Sequence, residues 1–183
     1  MILYIHGFAS SSKSKKVTLL HNSFKDVVAI NLSYEPDLAV KKLEEFMEEH
    51  RKKNITLIGS SLGGFYSIYL ADKYDLKSVL INPSIHPEKT LKRYVGQEIQ
   101  SYSTNESFFF KKEYIEQLKK YKTITYQGKN SLLLLQKGDK TLDYTEALSF
   151  LPEAKSVVES GGSHQFDDFD NYFLMIKKFI DEG

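Results

Sequence analysis

Gly59-Ser60-Ser61-Leu62-Gly63 fits the pattern Gly-x-Ser-x-Gly and constrains the fold more than any other stretch of this chain. It follows a strand-like run, Asn54-Ile55-Thr56-Leu57-Ile58, and precedes a helix-like run, Phe65-Tyr66-Ser67-Ile68-Tyr69-Leu70. A strand that turns sharply into a helix lifts the residue at the bend out of the backbone, and a serine there is presented as a nucleophile. Such a turn needs small neighbours, because a Cβ would strike the adjacent strand and helix. Gly59 and Gly63 meet that need around Ser61. With Ser60 as the nucleophile, Leu62 would fall where a small residue is wanted, so Ser61 is the candidate. The competing reading is a glycine-containing turn without chemistry. A phosphate-binding loop is set aside, because no lysine follows Gly63-Gly64.

The rest of the chain supplies a setting for that turn. Ile2-Ile5, Val27-Ile30, Ile55-Ile58, Ser78-Ile81, Leu132-Leu135 and Ser156-Val158 read as strands. Most are continuous apolar runs, as in parallel strands covered on both faces. Between them, Ala39, Leu43, Phe46, Met47 and His50 share one helical face; Phe169, Tyr172, Phe173, Ile176 and Ile180 share another near the C-terminus. Alternating strands and helices predict a three-layer α/β/α sandwich with right-handed crossovers and a mostly parallel sheet of about six strands. The 183 residues suit one domain, 1–183. Residues 84–129 break the rhythm, being long, polar and aromatic. They read as a helical, lid-like insertion over the C-terminal ends of the strands, where ligands bind in open α/β sheets. Within it, Phe108-Phe109-Phe110 reads first as core packing, with a pocket wall or a lid hinge as the alternatives.

Bulk properties exclude several classes. Hydrophobic residues make up 41% and charged residues 27%, which favours a packed soluble core. A net charge of +1 gives no case for a nucleic-acid partner. No apolar run approaches the ~20 residues of a membrane span. Met1-Ile2-Leu3-Tyr4-Ile5-His6-Gly7 is too short for a signal peptide and lacks its basic start, so it reads as a first strand. The chain has no cysteine, which rules out disulfides and thiolate zinc sites and fits a cytoplasmic location. Oligomeric state leaves no signal in the sequence.

A serine hydroxyl needs a base within hydrogen-bond reach, and the base needs an orienting acid. In α/β-hydrolases the partners follow in the order serine, acid, histidine. Five histidines are available. His6 precedes Ser61, His21 and His50 fall in surface-helix patterns, and His86 sits in a proline-flanked loop. His164, in Gly161-Gly162-Ser163-His164-Gln165-Phe166, lies in a glycine-rich loop between the last strand and the last helix, where the base belongs. Asp139 closes the run Leu132-Leu133-Leu134-Leu135-Gln136-Lys137-Gly138 and is the candidate acid. Asp143 reads instead as a first-turn anion of the next helix. Asp167, Asp168 and Asp170 follow His164, violate the order and read as N-terminal helix charges. An oxyanion hole needs two backbone donors. The amide of Leu62 is one; the other is expected in His6-Gly7-Phe8-Ala9-Ser10, from Phe8, with Ala9 as the fallback.

These stretches resemble the α/β-hydrolases and, more narrowly, YqiA-type small esterases. The likeness rests on Leu3-Tyr4-Ile5-His6-Gly7-Phe8, Ile58-Gly59-Ser60-Ser61-Leu62-Gly63-Gly64-Phe65-Tyr66 and Ile81-Asn82-Pro83-Ser84. It continues in Lys137-Gly138-Asp139-Lys140-Thr141-Leu142-Asp143-Tyr144 and Gly161-Gly162-Ser163-His164-Gln165-Phe166. The resemblance implies a compact hydrolase with a shortened sheet, acting on carboxylic esters or thioesters, with nucleophile, acid and base at Ser61, Asp139 and His164. Gln97 to Lys129 matches least.

The expected function is therefore a serine esterase that forms an acyl-enzyme on a small-molecule ester and needs no metal or organic cofactor. One alternative keeps the triad but acts on thioesters such as acyl-coenzyme A. Residues 84–129 carry nine Lys or Arg against five Glu, a balance that would suit an anionic substrate or simply a solvated surface. The other alternative is a non-catalytic binding protein on a hydrolase scaffold.

Overall fold

The computed structural model describes residues 1–182. In chain order its elements are β1 (Ile2–Ile5), α1 (Lys15–Ser23), β2 (Val27–Ala29), α2 (Pro36–Glu49), β3 (Thr56–Ser60), α3 (Leu62–Tyr74) and β4 (Lys77–Ile81). Then come α4 (Pro87–Thr90), β5 (Glu98–Gln100), β6 (Ser107–Phe109), α5 (Lys112–Lys120), β7 (Ser131–Gln136), α6 (Tyr144–Phe150), β8 (Lys155–Glu159) and α7 (Phe173–Asp181).

Six strands form one sheet in the order β2-β1-β3-β4-β7-β8, and every pairing in it is parallel. The continuous apolar runs explain why. Side chains alternate across a strand, so a run that is apolar throughout has two faces to cover. Leu3, Ile5 and Leu57 pack with Ala39, Leu43 and Met47 of α2 and Phe65 and Leu70 of α3. Ile2, Tyr4, Ile58, Val79 and Ile81 point the other way, onto Val17 and Leu20 of α1 and Phe173, Ile176 and Phe179 of α7. Leu80, Leu133 and Leu135 share a third cluster with Ile68 of α3 and Ala147 of α6. The result is the expected three-layer α/β/α sandwich. The outer strands, β2 and β8, depart from full burial along their whole length, whereas among the inner four only Lys77, at the start of β4, does.

Three expectations are corrected. The insertion is not purely helical. It holds α4, a 3-10 turn at Leu91–Tyr94, the antiparallel hairpin β5–β6 and α5. Strands of only three residues are too short to show alternation in sequence. The Phe108-Phe109-Phe110 run also splits. Phe110 is 1% exposed and Phe109 56% exposed, while Phe108 stacks on Tyr34 with ring centroids 3.7 Å apart. Strand alternation forces neighbouring rings apart. At the C-terminus, a 3-10 turn at Phe169–Tyr172 precedes α7, so Asp167 and Asp168 lie before that turn rather than in the first turn of α7.

Candidate active site

The bend after β3 is closed by contact. Ser60 ends the strand and Leu62 opens α3, leaving Ser61 alone at the corner with φ 55° and ψ −119°. That is a costly conformation for a non-glycine residue, on the order of 1–3 kcal/mol, and it persists only where the surroundings over-determine it. They do so here. The Ser61 amide donates to Ile81 O at 3.0 Å, and its carbonyl accepts from Gly64 N at 2.9 Å and Ser84 N at 3.0 Å. A Cβ on Gly59 would run into Gly63 and Ser67, and one on Gly63 into the backbone of Ile5. The two glycines singled out by sequence are required by close approach.

The structure brings Ser61, His164 and Asp139 together from three loops, each beyond a strand's C-terminal end. Ser61 Oγ lies 3.0 Å from His164 Nε2, and His164 Nδ1 lies 2.7 Å from Asp139 Oδ2. A carboxylate only accepts, so Nδ1 carries the proton and donates it to Asp139; Nε2 is then left to accept from the serine hydroxyl. The other carboxylate oxygen, Oδ1, accepts from the amides of Thr141 at 2.7 Å and Leu142 at 3.0 Å. Burial alone would push the Asp139 carboxyl up. The hydrogen bond from His164 and those two amides outweigh it and hold the group below the usual carboxylate range. A depressed carboxyl stabilises the fold above its unfolded value of about 4, and that stabilisation is lost as pH falls through the folded value.

The remaining candidates sort cleanly. Asp143 caps α6, its carboxylate accepting from the Thr145 amide at 2.9 Å, as its helix-start position implied. His86 Nδ1 lies 3.6 Å from a Glu88 carboxylate oxygen, outside hydrogen-bond reach, and His50 stacks on Phe46. His6 is buried, and burial pulls its pKa below the ordinary histidine value. The neutral ring donates from Nδ1 to Gly7 O at 3.0 Å and accepts at Nε2 from the Leu32 amide at 3.0 Å. It braces the loop after β1 rather than facing Ser61's partners.

That loop sits against the elbow, and a Cβ on Gly7 would lie 3.2 Å from that of Ser61. Among the described residues, neither the Phe8 amide nor the Leu62 amide donates to another loop, turn or side-chain group. Ala9 takes a left-handed φ of 52°, and its carbonyl accepts from Tyr102 N at 2.7 Å and from Ser101 Oγ at 3.3 Å. The Phe8 ring meets Tyr94, Phe108 and Phe110 at 5.2–5.7 Å. The insertion therefore grips this loop by both backbone and rings.

Ser61 and His164 open into a cleft of about 730 Å³, whose lining includes Phe8, Leu62, Ser84, Leu91, Tyr94 and Tyr102. That volume lies in the range that holds a small organic ligand. Ser84, Leu91, Tyr94 and Tyr102 were not singled out in the sequence. They come from the insertion, and only the fold of that segment brings them to the serine. Ser84 Oγ is buried and without a protein partner. Tyr4 and Lys16 also line the cleft; burial raises the Tyr4 phenol to about 12 and lowers the Lys16 amine to about 8.

Residues 1–181 match the model of a family described as "Uncharacterised protein family (UPF0227)". Similar chains include a UPF0227 protein of Vibrio parahaemolyticus, 25% identical, and one of Vibrio atlanticus, 27% identical; each match covers 98% of both chains. Among solved structures, mouse alpha/beta hydrolase domain-containing protein 10 aligns with a TM-score of 0.77 at 14% identity, over 98% of this chain and 89% of that one. Est1E from Butyrivibrio proteoclasticus, solved with ferulic acid bound, aligns with a TM-score of 0.71 at 15% identity, over 98% and 87%. At such identities these structures speak for the fold. The chain belongs to the UPF0227 family and is built on the α/β-hydrolase fold.

Proposed function

We propose that this protein is a serine hydrolase of small-molecule carboxylic esters, with Ser61 as nucleophile, His164 as general base and acid, and Asp139 as the orienting acid. The observation that carries the reading is the continuous hydrogen-bonded chain from Asp139 through His164 to Ser61 at the wall of an organic-sized cleft. As Ser61 Oγ attacks the ester carbonyl, His164 Nε2 takes its proton and becomes an imidazolium stabilised by Asp139. The carbonyl oxygen gains the negative charge, which the amides of Phe8 and Leu62 stabilise. His164 then returns the proton to the departing alcohol. A water, deprotonated by the same histidine, attacks the acyl-enzyme, releases the acid and restores Ser61.

The cleft is mixed in character: Phe8, Leu62, Leu91 and Tyr94 would take an uncharged acyl chain, and charged side chains, among them Lys16 and Asp167, line it too. Residues 84–129 form its lid-like roof in this reading. Arg93 and Lys13, which also line it, favour a second reading in which the leaving group is an anionic thiol. Rates on matched oxygen and sulfur esters separate the two.

The test is Ser61→Ala. Turnover of a short-chain aryl ester is expected to fall on the order of a million-fold, as loss of a triad nucleophile does elsewhere. The wild type, and not the variant, is expected to be labelled by a fluorophosphonate. Substantial hydrolysis by purified Ser61→Ala would reject the assignment. Failure of the wild type to label or turn over would favour a binding protein on this scaffold.

A further inference from the structure

Two buried primary amides join the acid's strand to the base's loop. Asn82 follows β4 and Gln136 ends β7; they are 3% and 5% exposed, and neither lines the cleft. A buried amide is tolerated only when its donors and acceptors are matched. These are matched almost entirely by backbone groups of Gln136 itself and of residues 163–167. Asn82 Oδ1 accepts from the backbone N–H of Gln136 at 3.0 Å, while Nδ2 donates to Ser163 O at 3.0 Å and His164 O at 3.4 Å. Gln136 Oε1 accepts from the amides of Ser163 at 3.0 Å and Asp167 at 2.8 Å; its Nε2 donates to Asp167 O at 2.9 Å. The backbone carbonyl of Gln136 accepts from the Asp139 amide at 3.1 Å.

The loop that carries His164 has little regular structure to hold it. Gly161, Gly162, Phe166 and Asp168 all have positive φ. A Cβ on Gly162 would collide with the Gln136 side chain, so the contact is closed on both sides. Asn82 itself has φ 39°, a region that asparagine tolerates better than most residues.

We propose that Asn82 and Gln136 are positioning residues that hold the His164 imidazole in register with Asp139 and Ser61, by tying residues 163–167 to the end of β7. The proposal rests on the triad reading above. It requires amides at both sites. Aspartate at 82 would set a carboxylate oxygen against the carbonyls of Ser163 and His164. Glutamate at 136 would keep the acceptor for two amides and lose the donor to Asp167 O. Leucine at 136 would lose all three bonds.

The experiment compares Asn82→Gly, Asn82→Asp, Gln136→Leu and Gln136→Glu in the full chain, each checked for cooperative melting. Two quantities are read: kcat and KM on a simple ester, and the downfield NMR resonance of the His164 Nδ1 proton shared with Asp139. The second does not depend on turnover. Gln136→Leu and Asn82→Gly, which spares the positive φ, are expected to lower kcat on the order of 100-fold, the scale of an ångström misplacement at a reacting centre. KM should change little, the Nδ1 resonance should be lost, and Gln136→Glu should recover part of both. Folded variants that keep wild-type kcat and the wild-type resonance overturn the proposal. If the position-82 variants do not fold, the Leu-to-Glu gradation at 136 decides it alone. A wild type inert to esters whose resonance is nonetheless lost in the variants sustains the positioning role and defeats the esterase reading. An active wild type whose resonance and kcat ignore all the folded variants defeats the positioning role only.

Discussion

The corner at Ser61 and the insertion at residues 84–129 face the same cleft but are held by opposite means. At the corner, backbone meets backbone. Gly59 and Gly63 leave no room for a Cβ, and hydrogen bonds from both flanking segments fix a strained serine. In the insertion, a few backbone bonds, such as Tyr102 N to Ala9 O, are joined by many contacts between side chains. Phe110 is buried against Phe8 and Tyr114, while Lys120 and Tyr121 reach Asp37 on α2. The first region cannot tolerate an added atom, and the second cannot tolerate removed ones. The difference suits the roles proposed for them. A nucleophile must be placed to a fraction of an ångström, whereas a pocket wall must present a shape and can vary in composition.

That contrast can be broken in several places. The largest expected effect lies in the triad. Asp139→Asn should lower kcat roughly ten-thousand-fold by stabilising the wrong histidine tautomer, whereas Asp143→Asn should leave kcat near wild type. The opposite ranking in steady-state kinetics would mean that the acid has been misassigned. Next, Phe110→Ala should cost about 3–5 kcal/mol in chemical denaturation, as large-to-small changes of a buried ring do. It should also weaken the packing on Phe8, so kcat should fall with stability. A cost under about 1 kcal/mol would show that the insertion is anchored elsewhere. Gly63→Ala should cost about 3 kcal/mol and remove fluorophosphonate labelling, because the new Cβ meets the Ile5 backbone, which cannot step aside. A stable, reactive Gly63→Ala would contradict the steric account of the corner. The smallest effect is expected at the Lys120–Asp37 pair, 2.7 Å long with Lys120 58% exposed. Lys120→Met should change stability by less than about 1 kcal/mol.

Much of this was legible in the sequence because the signals are local. Mostly apolar runs of three or four residues mark the strands, and all six appear in the sheet within one or two residues of their expected bounds. The order serine, aspartate, histidine could be read because parallel strands deliver successive loops to one end of a sheet. Asp143 could be told from Asp139 by its place at a helix start, which its capping bond to Thr145 matches. The insertion was less legible. The hairpin β5–β6 buries Ile99 but leaves Glu98 and Gln100 exposed, and two such short strands leave no periodicity to detect. The different fates of Phe108, Phe109 and Phe110 depend on strand alternation in a strand that could not be foreseen. The part proposed for Asn82 and Gln136 was hidden for another reason. A buried amide in a strand or turn looks the same in sequence whether it holds one loop or none.

The sequence by itself determined the parallel sheet, the corner that presents Ser61 and which aspartate and histidine could join it, since each depends on short-range pattern and chain order. Only the tertiary structure decided which rings and hydroxyls line the cleft and how the insertion grips the loop of Phe8. The same holds for how the His164 loop is tied to the strand of Asp139. Those contacts join residues dozens of positions apart, and their geometry follows from the packing of whole layers, which no local pattern encodes.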